Sequence, residues 1–293
     1  MDQDSSTPRF RCWAPLYWTL TVAGATYCAL VILGLVPFGG CGGDLTLCDG
    51  AAYYFAPSDP YRWDLRPEGV APYRYAPAFL IPFAPLRLLP WEAFVVLWFA
   101  LHVGAFLWLR AGWMLAVPGL QDDVIRGNVT VFLAVAVVLA LTRSAGWWMP
   151  VLLTKVTPGI GVVWHLARRE WRELAIAIGA TVIVVAIGFA WSPGLWIEWL
   201  RTLAAGPETY EVGHPIGPLA LRLVLAAFLI GYAAITDRAW LLPVALLIAV
   251  PGLWPLNLAF LAAIPRLRAL PVAHTRPAIQ RDPAQAAGDS SSP

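Results

Sequence analysis

Charge is scarce in this sequence. Asp, Glu, Lys and Arg make up 13% of its 293 residues, about half the share in an average soluble domain. Lysine is nearly missing: of twenty Lys plus Arg, nineteen are Arg and one is Lys155. No basic run suits a nucleic-acid groove, and a net charge of +2 is too small to draw one, so a nucleic-acid partner is excluded. The four cysteines and four histidines are scattered, without the spacing that holds zinc. No phosphate-binding glycine loop or serine-hydrolase elbow is present. No internal repeat is found either, which argues against the inverted-repeat architecture of many secondary transporters.

Apolar residues fill the space that charge leaves. They make up 59% of the chain, and mean hydropathy is +0.65. A soluble globule of this length cannot cover so much apolar surface. The 16 tryptophans fit the headgroup level of a bilayer, where the ring is apolar and the N–H stays wet. The expected fold class is all-α, a polytopic transmembrane protein.

The chain divides accordingly. Residues 1–12 form a polar tail with Arg9 and Arg11. A transmembrane domain over 13–265 follows, and a polar tail over 266–293 is expected to be disordered. The first apolar run, 13–38, is long enough for a ~20-residue span. Residues 39–74 form a large loop with five acids: Asp44, Asp49, Asp59, Asp64 and Glu68. Residues 75–90 contain four prolines and predict a short, kinked or re-entrant helix. Further apolar segments cover 91–109, 111–120, 128–142, 147–165, 174–192, 216–235, 240–250 and 253–265, giving about eight to ten crossings. Arginines flank the first helix, fill 165–172, and recur at Arg238, Arg266 and Arg268. Placing all of them in the cytoplasm satisfies the positive-inside rule. Both termini are then cytoplasmic in a multi-pass plasma-membrane protein, and loop 39–74 is extracytoplasmic. Residues 193–215 also fall outside, and 196–200 predict a helix lying in the interface.

Lys155 is the most informative residue. A charge in mid-membrane costs roughly 2.5–3.5 kcal/mol and usually faces a cavity or a partner. Counted from an outer turn near 147, it lies about eight residues, or ~12 Å, inside that face. A lysine stem reaches an anionic headgroup from there, although snorkelling without a role is the plainer alternative. A carboxylate in the outer loop has the chemistry of a general base, while most loop acids are simply solvated. Cys41 and Cys48 bracket Asp44 and can form a disulfide in an oxidising compartment. His102 reads as a satisfied polar residue at a helix contact, and Gly127-Asn128 as a helix cap or close helix contact.

Several segments in order resemble glycosyltransferase family 87, membrane-embedded polyprenol-phosphate-mannose-dependent mannosyltransferases of the GT-C type. DLTLCDGAA (44–52) leads to DPY (59–61), then YAPAFLIPFAPL (75–86), RGNVT (126–130), and TKVTPG (154–159) with RREWR (168–172). There are departures: Cys48 replaces a usual Tyr, the Gln of a Gly-Gln pair is missing, and PGLWPLNL (251–258) lacks a histidine common in active relatives. The chain is also shorter than most members. The resemblance implies a hexosyltransferase, with mannose as the sugar. The donor would be a polyprenyl-phosphate sugar among the membrane lipids, and the acceptor a lipid or glycan. It gives Asp44 the role of base, with Asp49 as the alternative. Lys155, Arg62, Arg66 and Arg74 would hold the donor phosphate. Tyr53, Tyr54, Trp63 and Tyr75 would contact sugars or anchor the interface. It requires no metal or cofactor. A transporter or flippase, or an inactive accessory membrane protein, is the competing expectation.

Overall fold

The computed structural model of the chain describes residues 7–38, 46–56, 60–62, 70–205 and 217–270, with side chains from Trp13 onward. Among these residues the fold is helical and contains no strand. In chain order the helices are α1 (Thr7–Ile32), α2 (Cys48–Tyr54), α3 (Trp91–Trp108), α4 (Asp122–Arg126), α5 (Thr130–Thr142), α6 (Trp148–Thr154), α7 (Val163–Ala167), α8 (Trp171–Trp191), α9 (Pro193–Ala204), α10 (Leu219–Ile235), α11 (Leu242–Ala249) and α12 (Ile264–Arg268). Short 3-10 helices join them, notably Gly112–Ala116, Pro158–Val162 and Pro255–Ala263.

Among the described residues, three helices are long and apolar enough to cross a membrane alone: Trp13–Ile32, Trp91–Trp108 and Trp171–Trp191. The other apolar segments fold as shorter pieces, and proline explains most of the breaks. Pro77, Pro82 and Pro85 reduce 75–90 to 3-10 turns. Pro158 opens a 3-10 helix just after α6 ends at Lys155, whose backbone (φ −124°, ψ 84°) has left the helix. The surface of the long pieces is apolar. α8 exposes Val182, Ile187, Phe189 and Trp191, and α10 exposes Leu221, Leu225, Phe228 and Tyr232. Faces this apolar require lipid rather than water around them.

Contacts sort the chain into two ends. At one, Arg168 pairs with Glu170 (2.8 Å) and Asp237 (2.6 Å), joining the loops after α7 and α10. Arg266 packs over Trp108 and Arg268 over Trp240, with centroid distances of 4.3 and 4.4 Å. The lower part of α1 belongs to this end as well, since Tyr17 Oη accepts from the Gly112 amide at 3.3 Å. The arginine groups that the sequence places together therefore do share one end. The turn between α5 and α6 lies toward this end too: the Ala145 amide donates to Glu173 Oε2 at 3.4 Å. This corrects the depth given to Lys155, which was counted from an outer turn at 147. α6 instead rises from the arginine-rich end, and Lys155 stands at its far tip. At the opposite end lie α2, residues 70–90, α9 and the turn at 250–254. α5 is 13 residues long, about 20 Å against roughly 30 Å of hydrocarbon. Thr130, the first residue of α5, meets Lys155 at the tip of α6.

Candidate functional site

α2 carries Asp49 and is fixed on three sides. The Leu47 amide donates to Ile125 O (2.9 Å), and Cys48 O accepts from the Ala71 amide (3.1 Å). Cys48 is disulfide-bonded, while its expected partner Cys41 lies outside the described residues. The α2 helix lies close on the α4–α5 turn because Gly50 faces Gly127. A Cβ on Gly127 would come within 3.0 Å of Trp98 Nε1 and 3.2 Å of Gly50 Cα. Gly127 also takes a left-handed φ of 68°, which turns the chain from α4 straight into α5.

That turn presents Asn128. Its Nδ2 donates to Asp49 Oδ2 at 2.9 Å and lies 3.2 Å from Tyr75 Oη. Its Oδ1 accepts from Thr130 Oγ1 at 2.7 Å. Thr130 Oγ1 in turn accepts from Lys155 Nζ at 2.8 Å, and Lys155 Nζ also donates to Asn257 Oδ1 at 2.5 Å. The result is one directional chain of hydrogen bonds, Lys155 to Thr130 to Asn128 to Asp49. It runs from an ammonium that can only donate to a carboxylate that can only accept. The ends of the chain are braced. Asp123, fully buried, accepts from the amides of Thr130 (3.1 Å) and Val131 (3.0 Å) and so caps α5. His102 Nε2 lies 2.7 Å from Asn128 O. Asn257 Nδ2 donates to Gly252 O at 3.1 Å.

Asp49 and Lys155 are both half-buried. Burial raises the Asp49 pKa above the ordinary carboxylate value. The Asn128 amide and the charges of Arg126, Lys155 and Arg74 pull it back only in part. Arg126 lies beside Asp49, with Nη1 3.9 Å from Cys48 Sγ and its guanidinium over the rings of Phe38 and Trp254.

The structure thus gathers Asp49, Lys155, Tyr75 and Arg74 from the residues that the sequence singles out. Asp44, Arg66 and Trp63 lie outside the described residues, and Arg62 is exposed. The geometry bears on two of the aromatic expectations. Tyr53 is 1% exposed and packs between Tyr73, Phe83 and Trp98, so it reaches the site only through its hydroxyl, 3.1 Å from Tyr75 Oη. Tyr54 points away, bonding Leu89 O at 2.5 Å with its ring against Trp91 and Phe94. The Tyr53 ring offers no free face, because apolar packing has claimed it, while Tyr54 is half-buried. Sequence reasoning missed Asn128, Thr130, Arg126 and Asn257 as site residues. A signal was available: the chain has two asparagines and one lysine, and all three meet here.

The sequence pattern of glycosyltransferase family 87 matches residues 73–274. A similar protein is the polyprenol-phosphate-mannose-dependent alpha-(1-2)-phosphatidylinositol pentamannoside mannosyltransferase of Mycolicibacterium smegmatis, 27% identical over 205 residues. That alignment takes in 61% of this chain and 46% of the relative, so the chain spans under half of its length. No solved structure matches. The matched stretch holds Tyr75, Asn128, Thr130, Lys155 and Asn257, with Asp44 and Asp49 upstream of it. On that match, over most of its length, the chain belongs to glycosyltransferase family 87.

Proposed function

We propose that this protein transfers mannose from a polyprenyl-phosphate donor to a lipid or glycan acceptor at the outer face of the plasma membrane, inverting the anomeric carbon. The observation that carries this reading is the chain of hydrogen bonds from Lys155 to Asp49 through Thr130 and Asn128. It joins a cation suited to a phosphate with a carboxylate suited to a proton. The name of the mycobacterial relative supports the donor and a glycolipid acceptor.

In the proposed step the acceptor hydroxyl oxygen attacks the sugar C1 and its proton passes to a carboxylate. The C1–O bond to phosphate breaks, and its electron pair leaves on the phosphate oxygen. The phosphodiester monoanion becomes a phosphomonoester dianion. A phosphate is already a good leaving group, so one base suffices, whereas a glycosidase needs two carboxylates. The base belongs to the 44–49 segment: the family resemblance gives it to Asp44, and the position of Asp49 beside the cations supports it as the alternative. Lys155 and Arg74 offset the phosphate charge. The gathering of arginines at one end supports a cytoplasmic assignment for that end and both termini. The up-and-down course of the short helices supports eight to ten crossings, some of them incomplete. To test this, nanodiscs holding the protein are supplied with radiolabelled polyprenyl-phosphate-mannose and a crude lipid extract, with a glucose donor in parallel. Label from the mannose donor alone entering a new lipid, with inverted configuration, is expected. Exclusive use of glucose, or retained configuration, would refute the mannose or inversion part respectively.

A further inference from the structure

The arginine-rich end keeps its acids inward and its arginines outward. Arg168, 5% exposed, holds both Glu170 and Asp237, whose side chains are only 21% and 28% exposed. Glu173 is half-buried and accepts from the Ala145 amide at 3.4 Å. Arg143, Arg169 and Arg172 are exposed, and among the described residues none of them has a carboxylate within ion-pair distance. The Ala145–Glu173 contact seats the α5–α6 turn against the first turns of α8. Gly146 continues the fit, since a Cβ there would lie 3.7 Å from the side chains of Ile176 and Ala180. Four exposed residues flank that contact: Arg143 and Trp147 on the turn, Trp171 and Arg172 on α8. Their depth follows from α8 itself. From Arg172 to Trp191 the helix runs ~29 Å at ~1.5 Å per residue, close to the ~30 Å of hydrocarbon. Between them Ile178, Val182, Ile183 and Ile187 are exposed and apolar. Arg172 therefore stands at the headgroup level, where a tryptophan ring lies against the tails and its N–H stays wet. Guanidinium groups at that level, with donors the protein does not use, suit phosphate oxygens.

We propose that the α5–α6 turn and the start of α8 form a binding surface for an anionic phospholipid headgroup, with Arg143 and Arg172 taking its phosphate and Trp147 and Trp171 flanking it at the interface. A zwitterionic lipid carries the same phosphate but cancels it with its own cation, so the surface discriminates by net lipid charge. This stands apart from the transferase reading and is tested without turnover. The full chain in detergent is titrated with phosphatidylglycerol or with phosphatidylcholine of the same chain length, and the bound lipid is counted by native mass spectrometry. Each arginine at an anionic headgroup should contribute roughly fivefold, so the wild type should bind phosphatidylglycerol about twentyfold tighter than phosphatidylcholine. Arg143→Gln combined with Arg172→Gln should bring that ratio close to one. Arg143→Lys combined with Arg172→Lys should keep most of it, which separates lost charge from lost fold. Arg201→Gln, the same loss of charge on α9 at the opposite end, should keep all of it. Equal affinities in the wild type, an unchanged ratio in the glutamine pair, or an equal fall in Arg201→Gln would overturn the proposal. So would displacement of the lipid by an equal concentration of glycerol phosphate, which would mark a site for a free anion instead of a membrane lipid.

Discussion

Thr130 holds the two halves of the site together with a single hydroxyl. It accepts from Lys155 and donates to Asn128. Thr130→Val keeps the shape and leaves both partners short of a bond, a loss of about 1–3 kcal/mol if it falls on the reacting state. We expect kcat/KM to fall by roughly tenfold to a hundredfold, with the melting temperature little changed and Thr130→Ser close to wild type. Asp49 makes a pH prediction. Its pKa is raised in the folded protein mainly by burial, so the folded state holds its proton more firmly than the unfolded chain does. Stability therefore declines as pH rises from the ordinary carboxylate value through the raised one. Asn128→Leu removes a donor that opposes this rise and should move the midpoint of that decline to higher pH, measured by melting curves across pH. Lys155 was legible because a lone lysine in an apolar run has few explanations. Asn128 and Asn257 were not, because a single amide near a helix end reads as a cap. Asn257 meets Lys155 across 102 residues of sequence, a pairing that no local pattern reveals.

At the scale of elements, proline and glycine decide the architecture. The breaks at 75–90 and after Lys155 were legible from proline alone. The direction of the α5–α6 turn was not read correctly, although Arg143 in that turn pointed to the arginine-rich end. α1 docks through Gly24, where an added Cβ would stand 2.3 Å from the Leu115 carbonyl carbon. That neighbour is backbone and cannot rotate aside. Gly24→Ala should cost about 1–3 kcal/mol of overpacking and lower the melting temperature by several degrees. An unchanged melt would show that α1 is not docked there. The helix expected at 196–200 is found as α9, and it reaches the site's rim: Trp199 Nε1 donates to Arg74 O at 3.2 Å. Three faces serve three surroundings: Trp196 and Trp199 inward, Ile197 and Leu200 exposed and apolar, and Glu198 paired with Arg201 at 2.5 Å.

Across the whole molecule, the arginine-rich end and the site end are separated by the length of the bundle. Composition made the helical membrane class plain, since so apolar a chain has no soluble solution. It left open which helices cross completely, because the short ones stop at a shared polar centre instead of at the bilayer surface. Sidedness can be read by labelling single cysteines with an impermeant maleimide in intact cells. Glu198→Cys on α9 should label, while Arg143→Cys and Arg238→Cys should label only after lysis. The reverse pattern would invert the topology and put the site on the wrong face for an outer-leaflet donor.

The most direct test of the central claim is the initial rate of sugar transfer from polyprenyl-phosphate-mannose, measured for wild type, Asp44→Asn, Asp49→Asn and Lys155→Met in nanodiscs. The account predicts transfer by the wild type. It also predicts a fall of at least about a hundredfold in Lys155→Met and in whichever Asp→Asn variant removes the base. A wild type that transfers nothing from any polyprenyl-phosphate sugar, or three variants that match it, would contradict the account.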